Sequence, residues 1–276
     1  MRGGAFDLDA YLARIGWSAP VRHDLATLAG LQEAHMRHIP FENLDVLLGR
    51  PVRLDLPGVQ QKLVRARRGG YCFEQVTLFA AALEALGFAP QRHAARVVRY
   101  LPRDRAPRTH MFLTVPLSDG RYVVDPGLGG AAPRRPIPLQ ADAPIAVGSD
   151  VHWLHREERQ WVLRLRSRSG QPDEETHDLW LSPIEPDIAV DFEMGNHYTS
   201  TYPQSIFRQN LLLRALTPDG RISVRNRDLT VERGMHIERR QLADRDELRA
   251  LLQEHFGFDL PEVETLNVPL IPEWQS

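Results

Sequence analysis

The chain has 276 residues, enough for about two domains or one large domain with an appendage. Its 34 Lys and Arg nearly balance its 36 Asp and Glu, so it lacks the basic face that nucleic-acid binding requires. A single cysteine excludes an internal disulfide and any multi-cysteine metal site, and no apolar run reaches the roughly 18 residues that span a bilayer.

The N-terminus, Met1-Arg2-Gly3-Gly4-Ala5-Phe6-Asp7, has no apolar signal-peptide core. A reducing cytoplasm is therefore the expected home, and no metal is expected. Lys62 is the only lysine. The arginines are spread along the whole chain, which reads as coding bias rather than a binding surface.

The first ninety residues read as helical. Asp7 caps a short helix through Leu8, Tyr11, Leu12 and Ile15 that stops at Gly16. Leu25, Leu28, Leu31, His35 and Met36 recur at helical spacing, and Ile39-Pro40 ends that pattern. Pro57 starts a third helix, which Gly69-Gly70 is expected to terminate. A fourth runs from about Cys72 to Leu86 with Val76, Phe79, Ala80, Leu83 and Leu86 on one face; Gly87 fits its left-handed stop.

From about residue 91 the period becomes two. His93–Tyr100 predicts a strand and Pro102–Pro107 a loop. Thr109–Leu117 alternates, with Met111, Leu113, Val115 and Leu117 on one face and His110, Phe112 and Thr114 on the other. Asp119-Gly120 signals a two-residue hairpin turn into Arg121–Asp125. Pro133–Gly148 reads as a loop. Val151–Leu154, Trp161–Leu165 and Arg221–Val224 predict further strands, and Asp244–Phe256 a C-terminal helix.

Cys72 opens its helix directly after two glycines. There the free backbone N–H groups and the positive helix end favour a thiolate, the reactive form. A lone cysteine is also commonly a small buried hydrophobe. A nucleophile needs a base, and the base an orienting group. Of the eleven histidines, His110 lies at a strand start opposite the apolar face, and Asp125 shares its parity. With Asp119-Gly120 as the turn, however, Asp125 pairs opposite Thr114, about 13 Å along the strand from His110. Twist, a bulge or an irregular strand end would have to close that gap. The run Gly127-Leu128-Gly129-Gly130 admits close backbone approach but matches no phosphate fingerprint.

Four segments together resemble the arylamine N-acetyltransferase family. They are Ile39-Pro40-Phe41-Glu42-Asn43-Leu44-Asp45, Arg68-Gly69-Gly70-Tyr71-Cys72-Phe73-Glu74, Thr109-His110, and Tyr122-Val123-Val124-Asp125 with its glycine run. Asp191-Phe192-Glu193, Asn196, Tyr198, Ser200-Thr201, Pro203, Ser205 and Phe207 add to the likeness, which spans about residues 7–256. The resemblance implies an α+β fold with a papain-like cysteine-triad core. Residues 1–90 would form a helical bundle carrying the nucleophile. Residues 91–200 would form an antiparallel β-barrel carrying His and Asp, and 201–276 an α/β lid.

It also implies a Cys72–His110–Asp125 triad. Acetyl-CoA would be co-substrate, with no permanently bound cofactor, and the acceptors would be arylamines, N-hydroxyarylamines or hydrazines, as in xenobiotic metabolism. Thr109, Gly127, Gly129 and Gly130 are the expected CoA contacts, and Arg68 is expected to pair with Glu42. The chain departs from the family at Pro126, at Leu128, where phenylalanine is usual, and at His197, where a larger aromatic is common. An amide synthase acting on a longer acyl chain and a cysteine hydrolase are the alternatives that keep the same residues; a non-catalytic binding protein with a relic site is the third.

Overall fold

The computed structural model describes residues 6–167, 175–234, 236–271 and 274. Its helical part follows the sequence pattern closely. Helix α1 (Leu8–Ile15) is capped by the Asp7 carboxylate, which accepts from Ala10 N, and ends at Gly16 with φ 65°. Helix α2 (Leu25–His38) is capped by Asp24 and stops before Ile39-Pro40. A two-residue strand β1 (Phe41–Glu42), a turn of helix α3 (Leu44–Leu47) and helix α4 (Leu56–Gln60) follow.

The third helix does not reach Gly69-Gly70. After α4 the chain loosens into π-type turns over Gln61–Arg65, and Arg67 takes a left-handed φ of 53°. The glycine pair serves packing instead. A Cβ on Gly69 would fall 2.2 Å from the Pro40 carbonyl oxygen, so only glycine lets this segment run against β1. Gly70 N donates to Pro40 O at 3.2 Å, and Glu42 N to Gly70 O at 3.2 Å. Helix α5 (Cys72–Ala85) is buried along most of its length and ends as expected, with Phe88 N returning to Leu83 O.

The middle of the chain forms an eight-stranded antiparallel sheet. Its strands are β2 (Gln91–Val97), β3 (Arg108–Leu117), β4 (Gly120–Val124), β5 (Ile137–Pro138), β6 (Ile145–Val147), β7 (Asp150–Glu157), β8 (Gln160–Ser167) and β9 (Thr176–Ser182). They lie in the order β5-β4-β3-β2-β9-β8-β7-β6. The sheet curls into a barrel around Ala95, Phe112, Val123, Ile137, Leu154, Leu163 and Trp180. The Pro133–Gly148 stretch is not all loop, because β5 and β6 lie within it.

Two further helices follow, α6 (Ala189–Thr201) and α7 (Ile206–Gln209). The period-two reading did not anticipate them. The chain then forms β10 (Leu212–Leu216), β11 (Gly220–Arg225), β12 (Asp228–Arg233) and β13 (His236–Gln241). These make a five-stranded sheet in the order β1-β10-β11-β12-β13, so the edge strand comes from the N-terminal part. Helix α8 (Arg245–Leu251) and the π-type turn Leu252–Phe256 cover it. No helix among the described residues is long and apolar enough to cross a membrane.

Candidate active site

Cys72 is the first residue of α5 and only 3 % exposed. Several bonds fix the turn before it. The Glu74 carboxylate, at the third helical position, accepts from Tyr71 N at 3.1 Å. The Gln75 amide donates to the carbonyls of Ile39, Pro40 and Gly70. Gln75 also accepts from His35 Nε2, whose Nδ1 meets Tyr11 Oη. The nucleophile candidate thus stands on a rigid, hydrogen-bonded floor.

The opposite wall comes from the barrel. The hairpin turn is Ser118-Asp119, one residue earlier than the Asp119-Gly120 signal suggests, since Leu117 pairs with Gly120 and Leu113 with Val124. This register carries Asp125 opposite Phe112 rather than Thr114. The expected four-residue offset from His110 shrinks to two, about 7 Å of strand, which the side chains span. His110 Nε2 meets Asp125 Oδ2 at 2.9 Å. A bulge also lies here. Ala95 pairs with His110 and Arg96 with Arg108, leaving Thr109 outside the ladder. Its carbonyl oxygen is 3.8 Å from Cys72 Sγ.

The Cys72 sulfur lies close enough to the His110 ring to act on its charge, while its contact at 3.8 Å is with the Thr109 carbonyl oxygen. Asp125 occupies Nε2, so Nδ1 is the nitrogen left for sulfur. A carboxylate only accepts, so Nε2 must carry a proton. Burial alone would depress the imidazole pKa, but the Asp125 carboxylate and the thiol outweigh it and push it up to about 10. The arrangement can hold an imidazolium beside the Cys72 sulfur, away from water.

The glycine run divides. A Cβ on Gly127 would fall 2.8 Å from Cys72 Cα, so this residue packs directly on the cysteine. Gly129, with φ 60°, and Gly130 lie further off, against the Phe41 ring and the Arg214 guanidinium. Arg214 Nη1 donates to Gly129 O at 2.7 Å. Thr109 lies beside the sulfur through its backbone. Of the four expected CoA contacts, Thr109 and Gly127 are therefore next to Cys72. An aromatic wall of Phe41, Tyr71, Phe73 and Phe207 lies nearby, with Tyr71 and Phe207 rings 5.3 Å apart. Tyr71 Oη donates to Asn196 of α6.

Beneath α5 lies a buried ionic cluster that sequence reading resolved only in part. Arg68 donates to Glu42 at 2.7 Å, as expected, and also to Asp45 at 2.7 Å. At its centre is Lys62, 2.8 Å from Asp45 and 2.7 Å from Glu74. Burial raises the Glu74 carboxyl to about 7 against the pull of Lys62, with Glu42 and Asp45 adding repulsion. Lys62 is held charged by the same three carboxylates, despite its burial. A cavity of about 750 Å³ lies on the other face of β3, lined by Val52, Met111 and Phe192 among others. None of Cys72, His110 or Asp125 lines it.

A family model described as N-acetyltransferase matches residues 24–265. The chain is 38 % identical to the arylamine N-acetyltransferase of Escherichia coli (strain K12), covering 92 % of this chain and 90 % of the relative. It is 36 % identical to the arylamine N-acetyltransferase / N-hydroxyarylamine O-acetyltransferase of Salmonella typhimurium, over 86 % and 84 %. Among solved structures, it superposes on Mycobacterium marinum arylamine N-acetyltransferase in complex with CoA with a TM-score of 0.86. That match has 32 % identity and covers 93 % of this chain and 94 % of that one.

Proposed function

This chain belongs to the arylamine N-acetyltransferase family and is an acyltransferase, and we propose that it carries acetyl from acetyl-CoA to an arylamine, N-hydroxyarylamine or hydrazine through a thioester on Cys72. The observation that carries this reading is the buried line Cys72–His110–Asp125, in which α5, β3 and the end of β4 each supply one group.

In the first half-reaction the Cys72 proton rests on His110 Nδ1 and sulfur attacks the acetyl carbonyl carbon. The developing oxyanion faces the N-terminus of α5, where the first backbone N–H groups have no partner within the helix. The bond from acetyl carbon to CoA sulfur breaks, and CoA leaves as the thiol with the imidazolium proton. One thioester replaces another, so this exchange is close to isoenergetic. In the second half-reaction the acceptor nitrogen attacks the acetyl-Cys72 carbonyl and His110 takes its proton. The carbon–sulfur bond breaks, the amide departs, and Cys72 regains the proton. Asp125 holds the ring in the required tautomer throughout. The near-total burial of the site keeps water from diverting the thioester.

CoA would approach along Thr109 and Gly127, with Gly129 and Gly130 extending the same backbone surface. Leu128, where the family resemblance leads one to expect phenylalanine, would leave the acceptor side wider and less aromatic. A free, unpaired thiol suits a reducing compartment, which supports a cytoplasmic site for the reaction.

Intact-mass measurement tests the reading. Incubation with acetyl-CoA and no acceptor should add one acetyl group, sensitive to hydroxylamine and absent from Cys72→Ala. Failure to acetylate while an alkylating reagent still modifies Cys72 would refute acetyl transfer. Labelling only by longer acyl thioesters would make the protein an amide synthase. Full-rate release of acetate without acceptor would make it a hydrolase.

A further inference from the structure

The Asp125 carboxylate is fully buried at the rim of the barrel core. Its Oδ2 accepts two hydrogen bonds. One comes from His110 Nε2 at 2.9 Å, and the other from the indole N–H of Trp180 at 2.9 Å. Its Oδ1 has no hydrogen-bond partner among the described residues. The orientation of the carboxylate therefore rests on two donors at one oxygen. Trp180 lies on β9, separated by β2 alone from the hairpin that carries His110 and leads into Asp125. Its ring is stacked on Phe112, with centroids 4.4 Å apart and planes 23° apart. Phe112 is two residues beyond His110 on the same face of β3.

An indole N–H only donates, so its partner must be an acceptor, with no tautomer to assign. Placed at Oδ2 it fixes where that oxygen points. The stack on Phe112 fixes the indole plane, and through it the direction of the N–H. The charged and titratable groups facing Asp125 are His110 of β3, Cys72 of α5 through that ring, and His152 of β7. Trp180 is the only one of its hydrogen-bond donors that does not itself titrate.

The geometry points to Trp180 as a positioning residue for acetyl transfer: its N–H and its stack on Phe112 hold the Asp125 carboxylate turned so that Oδ2 meets His110 Nε2. This rests on the triad reading of the preceding subsection. Trp180 touches neither substrate nor reacting atom; it acts through Asp125. In an alternating strand a tryptophan reads as core, which is why sequence inspection passes over it.

Trp180→Phe keeps the stack and deletes the donor. Acetylation of Cys72 should still occur but about tenfold more slowly, with kcat reduced and the acceptor KM little changed. The same substitution made in Asp125→Asn should cost almost nothing further, because the group it positions is already neutral. A packing role would instead lower activity by the same factor in both backgrounds. A wild-type rate in Trp180→Phe, or equal losses in the two backgrounds, overturns the proposal. A second readout does not depend on that variant folding. In protein with ¹⁵N-labelled tryptophan, the Trp180 indole N–H resonance should lie downfield and move on Asp125→Asn. An indole resonance indifferent to Asp125→Asn also overturns it. Should Cys72 of the wild type fail to acetylate at all, the triad reading fails first; the indole measurement still stands apart from it.

Discussion

A methyl group on Gly127 would lie 2.8 Å from the Cα of Cys72, closer than any real side-chain carbon tolerates. Either the loop or the start of α5 must move. A displacement near 1 Å in a reacting group costs about a hundredfold in rate. Gly127→Ala should therefore lose roughly that factor in single-turnover acetylation of Cys72 while its melting temperature changes little. Asp125→Asn acts differently, since the amide can present a donor to Nε2 and stabilise the wrong ring tautomer. Its turnover should fall by about 10³–10⁴-fold, as in other triads, and near-normal turnover would remove Asp125 from the site. Cys72, His110 and Asp125 were readable because each carries a chemical signature in one letter plus a local position, a helix start or a strand face. The bond joining His110 to Asp125 was not. It depends on the hairpin turning at Ser118-Asp119, and a Gly after Asp draws the eye one residue too far. Thr109 shows the same limit, because a bulge is a mismatch between two strands and no single strand displays it.

The start of α5 is held by groups from three other segments, and this is where element-level energetics concentrate. Glu42 of β1, Asp45 of α3 and Glu74 of α5 would repel one another if left alone. Lys62 and Arg68 bridge them at 2.7–2.8 Å. A compact ammonium can meet carboxylates in several directions, which a planar guanidinium cannot. Breaking a buried ion network from one side typically costs about 3–5 kcal/mol, because the abandoned charges remain buried. Lys62→Met should lower the free energy of unfolding by that amount in urea titration. Lys62→Arg should recover only part of it, and full recovery would show that charge alone matters. The helices themselves were legible from caps, stops and periodicity, as Asp7, Gly16 and Gly87 show. The end of the third was not: Gly69-Gly70 is demanded by close approach to Pro40, a tertiary requirement that mimics a helix stop in the sequence. Helix α6 was missed because it exposes Val190, Met194 and Tyr198 between exposed Ile188 and Tyr202 at its two caps, which blurs its amphipathic pattern, and α7 is a single turn with too few residues to show a period.

Across the whole molecule, two buried histidines set opposite limits on stability against pH. His35 is enclosed between Tyr11 and Gln75, and burial drives its pKa down to about 3. The unfolded chain binds a proton at this residue below about 6.5 and the folded one does not, so its contribution is lost as pH falls from 6.5 towards 3. Glu74 opposes it over part of that range. Its folded pKa, near 7, exceeds the unfolded value of about 4.3, so its contribution declines as pH rises between those values. Comparing the protein with His35→Gln isolates the histidine. The acid-side slope of unfolding free energy should flatten in the variant, and an unchanged slope would place the acid sensitivity elsewhere. His110 works in the other direction. Burial opposes its charge, but the Asp125 carboxylate prevails and lifts its folded pKa to about 10. The folded state then holds a proton that the unfolded state releases above about 6.5, so this stabilisation is complete below 6.5 and gone by about 10. Asp125→Asn removes the partner that raises it. The stability gap between the protein and this variant should be widest at pH 6, shrink steadily through pH 8, and close near pH 10 in urea titrations. A gap that stays constant across that range would mean that the folded protein binds no extra proton at the His110–Asp125 pair, and the raised His110 pKa would fail with it.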